Sequence, residues 1–257
     1  MKIVEDKQNK IGEAEDTEIG EMSFLEHLEE FRWRFLYLLI GVFIGTAIAW
    51  IFIDFLVDSV LLLPAKKSNI KLQNLRPFGQ LFLYFQIAII AGIILSIPNV
   101  FYQLWKFISP ALKESEKKYI GWIVFFSTVC FLSGIVFAYF LMIPMTMSFA
   151  AQFGTTSIEN NFAIGEYFSI IISIMLAAGV VFELPMLSFM LSKIGILTPK
   201  FMRQYRRHSI IIILILAAIL TPGTDPVAQL LLAIPLVILY EISIFVSKYS
   251  QRKRIEI

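Results

Sequence analysis

Three glutamates lie beside or inside apolar runs, where a charged carboxylate is unexpected. Glu30 belongs to an acidic stretch just before a long apolar run, Glu116 follows the next apolar run, and Glu183 lies inside a later one. A carboxylate accepts two parallel hydrogen bonds from a guanidinium group. If Glu30 and Glu116 converge in the fold, they would form a site suited to arginine side chains.

Ordinary surface solvation is the alternative for the first two of these residues. Glu30 and Arg34 are four residues apart, a spacing at which an ion pair stabilises a helix by about 0.2–0.5 kcal/mol. Glu116 has lysines close to it in the sequence, so a solvated loop would also account for it. Residue chemistry alone leaves both alternatives open.

Glu183 is the sharpest anomaly, because a charged group inside a membrane-spanning helix costs roughly 3 kcal/mol. Such residues usually face the interior of a helix bundle or a polar cavity. Pro185 cannot donate a backbone hydrogen bond and so frees the carbonyl of Val181 nearby. The alternative is a hydrogen-bonded glutamate that only ties helices together. Another glutamate in an apolar run, Glu241, is expected to extend toward the membrane surface or to pair with Lys248.

The sequence has no pattern typical of an enzyme active site or a metal centre. Its two histidines, His27 and His208, flank apolar runs, and there is no HExxH pair, phosphate-binding glycine loop or Gly-x-Ser-x-Gly elbow. The single cysteine, Cys130, lies in the middle of an apolar run, which indicates a packing role. The phenylalanines lie largely within apolar runs, so nothing indicates nucleic-acid binding. We expect no cofactor, no metal and no catalysis.

The composition requires a membrane environment. Of the 257 residues, 58% are hydrophobic and 16% are charged, which is outside the range of soluble globular proteins. Four apolar runs are long enough for the roughly 20 residues that cross a bilayer core, whereas the last two are shorter and separated by the breaker sequence 221–226. We predict an all-α membrane protein with six transmembrane helices, the fifth and sixth short; a re-entrant loop is the alternative for that pair. The predicted spans are 35–53, 79–103, 119–143, 167–192, 210–220 and 227–247.

Local signals predict where helices begin, bend and end. Pro98 should kink the second span, and Pro144 should end the third. Ser23 followed by Glu26 is a capping-box pattern, so a helix should begin there, ahead of the first span.

The distribution of lysine and arginine predicts the orientation, because these residues accumulate in cytoplasmic loops. They flank the first span, occupy the loops after spans two and four, and follow the sixth; on the opposite side they occur only within residues 54–76. Both termini are therefore predicted to be cytoplasmic. The predicted domains are an acidic, disordered tail at 1–22, a six-helix transmembrane domain at 23–247 and a basic tail at 248–257.

Four separated motifs occur in order over nearly the whole chain. They are Phe24–Arg34, Tyr102–Leu112 with Glu116 after it, Gly179–Pro185, and Leu220–Pro222 followed by Gln229–Pro235 and Tyr240–Glu241. Together they resemble the TatC family, the multi-spanning subunit of the twin-arginine protein translocase. Two features depart from the family pattern: the acidic tail is longer, and the turn 222–226 is less tight.

The resemblance implies a six-helix, glove-shaped subunit of the bacterial cytoplasmic (inner) membrane. Such a subunit is the receptor for signal peptides with an arginine pair, on substrates that are exported folded. Glu30 and Glu116 match the carboxylates that recognise the pair, and Phe107 and Arg32 belong to the same cytoplasmic patch.

The resemblance also implies partners inside and outside the membrane. Glu183 and Gln229 match polar positions where single-span subunits of the TatA-like and TatB-like type engage. Pro64 and Asp225 match outer-loop positions important for assembly. The implied partners are these subunits, twin-arginine signal peptides, further copies of the chain and membrane lipid, with no nucleic acid and no cofactor.

Other function classes make different demands on the sequence. A small-solute or ion transporter would place its site near the bilayer midplane and often contains inverted repeats, and no repeat is recognisable here. An intramembrane enzyme needs a nucleophile with its base, or a metal set, inside the spans. A structural scaffold for other subunits would leave Glu30 and Glu116 replaceable.

Overall fold

The fold is almost entirely helical. The computed structural model describes residues 24–68, 70–111, 117–152, 161–220 and 226–255. The α-helices in these ranges are α1 Phe24–Ile51, α2 Leu63–Lys67, α3 Gly79–Leu95, α4 Ile97–Ile108, α5 Ile120–Phe137, α6 Ile143–Gln152, α7 Ile164–Val181, α8 Leu184–Ile194, α9 Pro199–Gln204, α10 Arg206–Leu220 and α11 Pro226–Ile255. Two π-helical segments, Phe55–Leu61 and Ala138–Met142, a 3₁₀ turn at Ser109–Ala111, and two short strands, β1 Lys71–Gln73 and β2 Asn161–Ala163, complete the described chain.

Three helical stretches of the described chain are long and apolar enough to cross a membrane, or four if the bent pair α3–α4 forms one span. The three are Leu25–Ile51, Ile120–Gln152 and Ile164–Ile194. All four coincide with the first four predicted spans, which confirms the prediction of an all-α membrane protein. Helices α10 and α11 follow where the last two spans were predicted; α10 is short, with 15 residues, but the prediction that the sixth helix is also short is wrong, because α11 has 30 residues.

Proline acts differently at two of its positions. The prediction of a kink at Pro98 is confirmed: α3 ends at Leu95, and α4 begins with Pro98 in its first turn at an angle of 56°. The prediction that Pro144 ends the third helix is wrong, because helical structure continues to Gln152. The π-helical segment directly before it leaves Pro144 near the start of α6, where its missing N–H costs little.

Three predicted boundaries also differ from the observed ones. Helix α1 ends at Ile51, two residues before the predicted end of the first span, and Ser23, the predicted cap, lies outside the described residues. Helix α10 begins at Arg206 rather than Ile210. Helix α11 runs to Ile255, past the predicted end at Ser247, so the basic residues of the predicted tail extend the last helix.

Glycines allow α1 and α3 to cross with their backbones in contact. A Cβ added to Gly45 would lie 2.5 Å from the carbonyl oxygen of Gly92, and one added to Gly92 would lie 2.4 Å from the backbone nitrogen of Thr46. One turn earlier on α1, Gly41 makes room for Asn99 of α4, whose amide donates to the carbonyl of Tyr37. This packing holds the first half of α4 against α1.

The segment between α1 and α3 is tied to α7 by one tyrosine. The Tyr167 hydroxyl donates to the carbonyl of Leu61 at 2.7 Å and accepts from the N–H of Ala65 at 3.1 Å, and Tyr167 is only 1% exposed. These bonds flank Pro64, which is buried in the first turn of α2. Beyond α2, β1 pairs in parallel with β2, with Leu72 opposite Phe162. The sequence analysis did not predict this two-stranded sheet.

Candidate functional site

Glu30 is positioned in the second turn of α1 by the regular helix around it. Its side chain is 19% exposed, and Arg34, one turn later, is 17% exposed. The Nε of Arg34 donates to Oε1 of Glu30 at 2.9 Å, and Nη2 contacts the same oxygen. The second oxygen, Oε2, is buried without a hydrogen-bond partner among the described residues and lies 3.8 Å from Nδ1 of His27.

Phe107 connects this part of α1 with the end of α4. The ring of His27 stacks on Phe107 with 4.5 Å between the centroids, and Phe31 meets the same ring edge-on at 5.5 Å. Aromatic pairs in these arrangements stabilise a contact beyond the apolar area that they bury. The structure therefore packs Phe107 against His27, three residues before Glu30, and against Phe31, which directly follows it.

A groove runs from Glu30 between α1 and α4. Its volume is about 480 Å³. The groove combines one carboxylate with aromatic rings, an amide and two cations, and Lys106 Nζ lies 3.3 Å from the Tyr102 hydroxyl. The lining residues are Glu30, Trp33, Arg34, Tyr37, Tyr102, Gln103 and Lys106.

Glu183 is buried at the break between α7 and α8. It is 6% exposed and lies beside the backbone of Phe131 and the hydroxyl of Ser127, which is 0% exposed. Neither Glu183 Oε1 nor Ser127 Oγ reaches a hydrogen-bond partner at normal geometry among the described residues. Pro185 stands in the first turn of α8 and ends the hydrogen-bond ladder of α7 here. One oxygen of the Glu183 carboxyl group is therefore buried without a partner in the described part of the chain, an arrangement that costs free energy in a protein interior.

Comparisons with known proteins identify the family. The family model described as "TatC: Sec-independent protein translocase protein (TatC)" matches residues 26–235. The chain belongs to the TatC family. It is therefore a core membrane subunit of the twin-arginine translocation system, and this assignment favours protein translocation over the transport of a small solute or ion.

Individual relatives agree with the assignment over almost their whole length. The chain is 37% identical to a Sec-independent protein translocase protein TatC of Carboxydothermus hydrogenoformans, over 90% of this chain and 95% of the relative. It is 35% identical to the protein of that name from Aquifex aeolicus, over 92% and 99%. Among solved structures it resembles the "Twin Arginine Translocase Receptor- TatC", with a TM-score of 0.76 and 34% identity, covering 88% of this chain and 100% of the other. These proteins are named as translocase or receptor components, not as enzymes.

The remaining predicted site residues of this TatC chain fall in different places. Glu116 and Asp225 lie outside the described residues, so their convergence with other groups stays a prediction. Arg32 is exposed and does not line the groove. Gln229 donates its amide to the carbonyl of Leu214 at 2.9 Å and so ties α11 to α10.

Glu241 pairs differently from the prediction. Its Oε2 accepts from Nη2 of Arg206 at 2.7 Å, so the suggested pairing with Lys248 is not the one observed. Both side chains are more than two-fifths exposed, and a pair so exposed contributes little to stability. Nearby, the Tyr240 hydroxyl donates to the carbonyl of Met202, and this bond adds a link between α11 and α9.

Within the described ranges, no group of three or more His, Cys, Asp or Glu residues could hold a metal ion.

The groove residues that the sequence analysis missed are Trp33, Tyr37, Tyr102, Gln103 and Lys106. The motif 102–112 contains three of them, but motif membership alone did not indicate which side chains face α1.

Proposed function

We propose that this chain is the signal-peptide receptor of its translocase and that Glu30 binds an arginine of the peptide. The observation that carries the proposal is the mostly covered Glu30 carboxylate, with an unpartnered Oε2, in the lining of a 480 Å³ groove. Charge-assisted hydrogen bonds to a guanidinium are about twice as strong as neutral ones. The similar crystal structure is described as a twin-arginine translocase receptor, which supports the same role here.

A second carboxylate is needed for a second arginine, and we assign that role to Glu116. It follows α4 in the sequence, and α4 ends against α1 through Phe107. The segment after α4 therefore starts close to Glu30. Arg32, exposed on the same helix as Glu30, contacts the peptide at the rim of the site rather than in the groove.

Binding of paired peptides tests the receptor role. The full chain in detergent should bind a labelled signal peptide with Arg-Arg more tightly than its Lys-Lys twin, because only a guanidinium makes two parallel bonds to a carboxylate. Glu30→Gln and Glu116→Gln should each weaken Arg-Arg binding by roughly 10- to 100-fold, the loss of about 1.5–3 kcal/mol that charged hydrogen bonds contribute. Fluorescence anisotropy gives both affinities.

The matched control is Glu241→Gln, which removes a carboxylate from an exposed ion pair on α11 and should leave peptide binding unchanged. Equal binding of the two peptides by the parent chain and both glutamate variants would refute the receptor role. The result would favour the alternative that the chain is a structural scaffold for other subunits, with the acidic residues forming only a solvated helix face.

The proposed topology has six membrane-spanning helices with both termini in the cytoplasm of a bacterium and the domain boundaries at 22 and 247. In this arrangement α10 and the apolar part of α11 form the last two crossings of the inner membrane. The support is the charge asymmetry: lysine and arginine are concentrated on one side of the predicted spans. The segment with α2, β1 and β2 then lies outside, where Pro64 and Asp225 contribute to assembly.

Single-cysteine labelling tests this topology. In a Cys130→Ala background, a membrane-impermeant maleimide should label Lys67→Cys in intact spheroplasts, because Lys67 is exposed at the end of α2. It should label Lys200→Cys, exposed on α9, only after permeabilisation. The reverse pattern, or labelling of both sites in intact cells, would exclude the proposed orientation.

Glu183 and Gln229 are assigned to contacts with single-span partner subunits of the TatA-like and TatB-like type. The unpartnered oxygen of Glu183 supports this role, because a polar group of a partner helix would satisfy it. Gln229 already donates to Leu214, and we assign its amide oxygen as an acceptor for a partner. The other proposed partners are further copies of the chain and membrane lipid. The chain acts by binding, without a catalytic step or a cofactor.

A further inference from the structure

The carboxylate that is assigned to the substrate already holds an arginine of its own chain. Arg34 directs both Nε and Nη2 at Oε1 of Glu30, and Oε2 has no hydrogen-bond partner among the described residues. A fully exposed pair would contribute little, but here the two side chains are only 17% and 19% exposed. Arg34 therefore occupies Glu30 in a partly buried ion pair and not in a weak contact at the protein surface.

An incoming guanidinium and Arg34 need the same acceptor. A bidentate pair uses both carboxylate oxygens, and Arg34 holds one of them. Both groups are cations, so they also repel each other when they approach one carboxylate. Because Arg34 sits one helical turn from Glu30, it returns to the carboxylate whenever the site empties.

We propose that Arg34 is a built-in competitor that keeps the affinity of Glu30 for the signal peptide low. This inference rests on the proposed role of Glu30 as the acceptor of a substrate arginine. Peptide binding then includes an exchange of guanidinium groups, in which the substrate arginine binds Glu30 and Arg34 turns away from Glu30 toward the other side chains of the groove that it already lines. The rings of Trp33, Tyr37 and Tyr102 line that groove and can stack on the displaced cation.

The competition has a defined consequence for affinity and release. The apparent affinity falls by the fraction of molecules in which Oε1 is free. If that fraction is about one in ten, removal of the competitor strengthens binding about tenfold. A receptor that must pass its substrate on benefits from the weaker affinity, because Arg34 displaces the substrate arginine without any change elsewhere in the fold.

A double-mutant cycle tests the proposal with the full chain in detergent and the Arg-Arg peptide. Arg34→Gln should bind the peptide about tenfold more tightly than the parent and release it more slowly. In the Glu30→Gln background, the same change should give no gain, since there is no carboxylate for which to compete. Arg34→Lys, which keeps the charge but not the two donors fixed by the guanidinium plane, should give a smaller gain and serves as the second variant if Arg34→Gln does not fold.

The control is Arg206→Gln, which removes the arginine of the other described arginine–glutamate pair, on α10; its peptide affinity should equal that of the parent. Weaker binding by Arg34→Gln would overturn the proposal and make Arg34 a positioning residue for Glu30. A gain that persists in the Glu30→Gln background would overturn it in favour of general charge repulsion. Failure of the receptor role itself looks different, because Glu30→Gln alone would then leave the affinity of the parent unchanged.

Discussion

Gly92→Ala should destabilise the chain more than any other single-methyl change proposed for it. The added Cβ would lie 2.4 Å from the backbone nitrogen of Thr46 and 2.6 Å from its Cα, so α1 and α3 must move apart. Overpacking of this kind costs about 1–3 kcal/mol or more, which outweighs the gain of about 1 kcal/mol in helix propensity. For a net loss of about 1–2 kcal/mol, we expect the melting temperature, measured by circular dichroism in detergent, to fall by roughly 2–8 °C.

The matched control is Gly121→Ala at the start of α5, where an added Cβ meets nothing within 4 Å. There only the propensity gain acts, so the melting temperature should stay the same or rise. If both variants melted at the temperature of the parent, the close crossing of α1 and α3 would not be a feature of the protein in detergent.

This crossing also shows what a sequence predicts and what it leaves open. Gly41 and Gly45 are four residues apart in an apolar run, which is the small-residue spacing of a close helix–helix contact. That signal was available in the sequence, and the sequence analysis did not use it. The partner, Gly92, follows Ala88 at the same spacing, but its pairing with Gly45 depends on how the helices are arranged in space.

The two prolines give a similar lesson about local context. Pro98 bends its helix as predicted, because α3 has already ended at Leu95 and α4 starts anew. Pro144 has the same chemistry, but a π-helical segment precedes it and the helical structure continues. Nothing in the apolar sequence around Pro144 indicates the wider turn, so its effect could not be read from residue types.

Each side of the groove could be predicted from the sequence, but the way in which the two sides face each other could not. On α1, the residues Glu30, Trp33, Arg34 and Tyr37 follow the spacing of one helix face, and on α4 the residues Asn99, Tyr102, Gln103 and Lys106 do the same. Each stripe is readable from the sequence. That the two stripes face each other follows from Gly41 and Asn99, and from the stacking of Phe107 on His27, which are tertiary contacts.

The second large effect is expected at Glu183, where one substitution should move stability and assembly in opposite directions. Glu183 is 6% exposed, and its Oε1 lacks a partner among the described residues. Glu183→Leu replaces a buried carboxyl group, one oxygen of which is unsatisfied, by an apolar side chain of similar size, a change that is often neutral or stabilising. The melting temperature of the isolated chain should therefore stay the same or rise by a few degrees, about 2–4 °C per kcal/mol.

The same variant should lose its partners. If Glu183 makes a hydrogen bond to a single-span subunit within the bilayer, its loss removes about 1–2 kcal/mol, which is a roughly 5- to 30-fold weaker association. Co-purification of the partner subunits with a tagged chain measures this loss. Glu183→Gln keeps a hydrogen-bonding side chain of the same shape and should retain most of the partners.

The binding of the Arg-Arg peptide separates this site from Glu30. Glu183 lies at the junction of α7 and α8, whereas the groove is built from α1 and α4, so both Glu183 variants should bind the peptide as the parent does. If Glu183→Leu lost peptide binding and partners to the same extent, the two sites would be one coupled unit. If it melted well below the parent and kept its partners, Glu183 would be a structural link between helices, because its carboxyl would then be needed by the fold and not by the assembly.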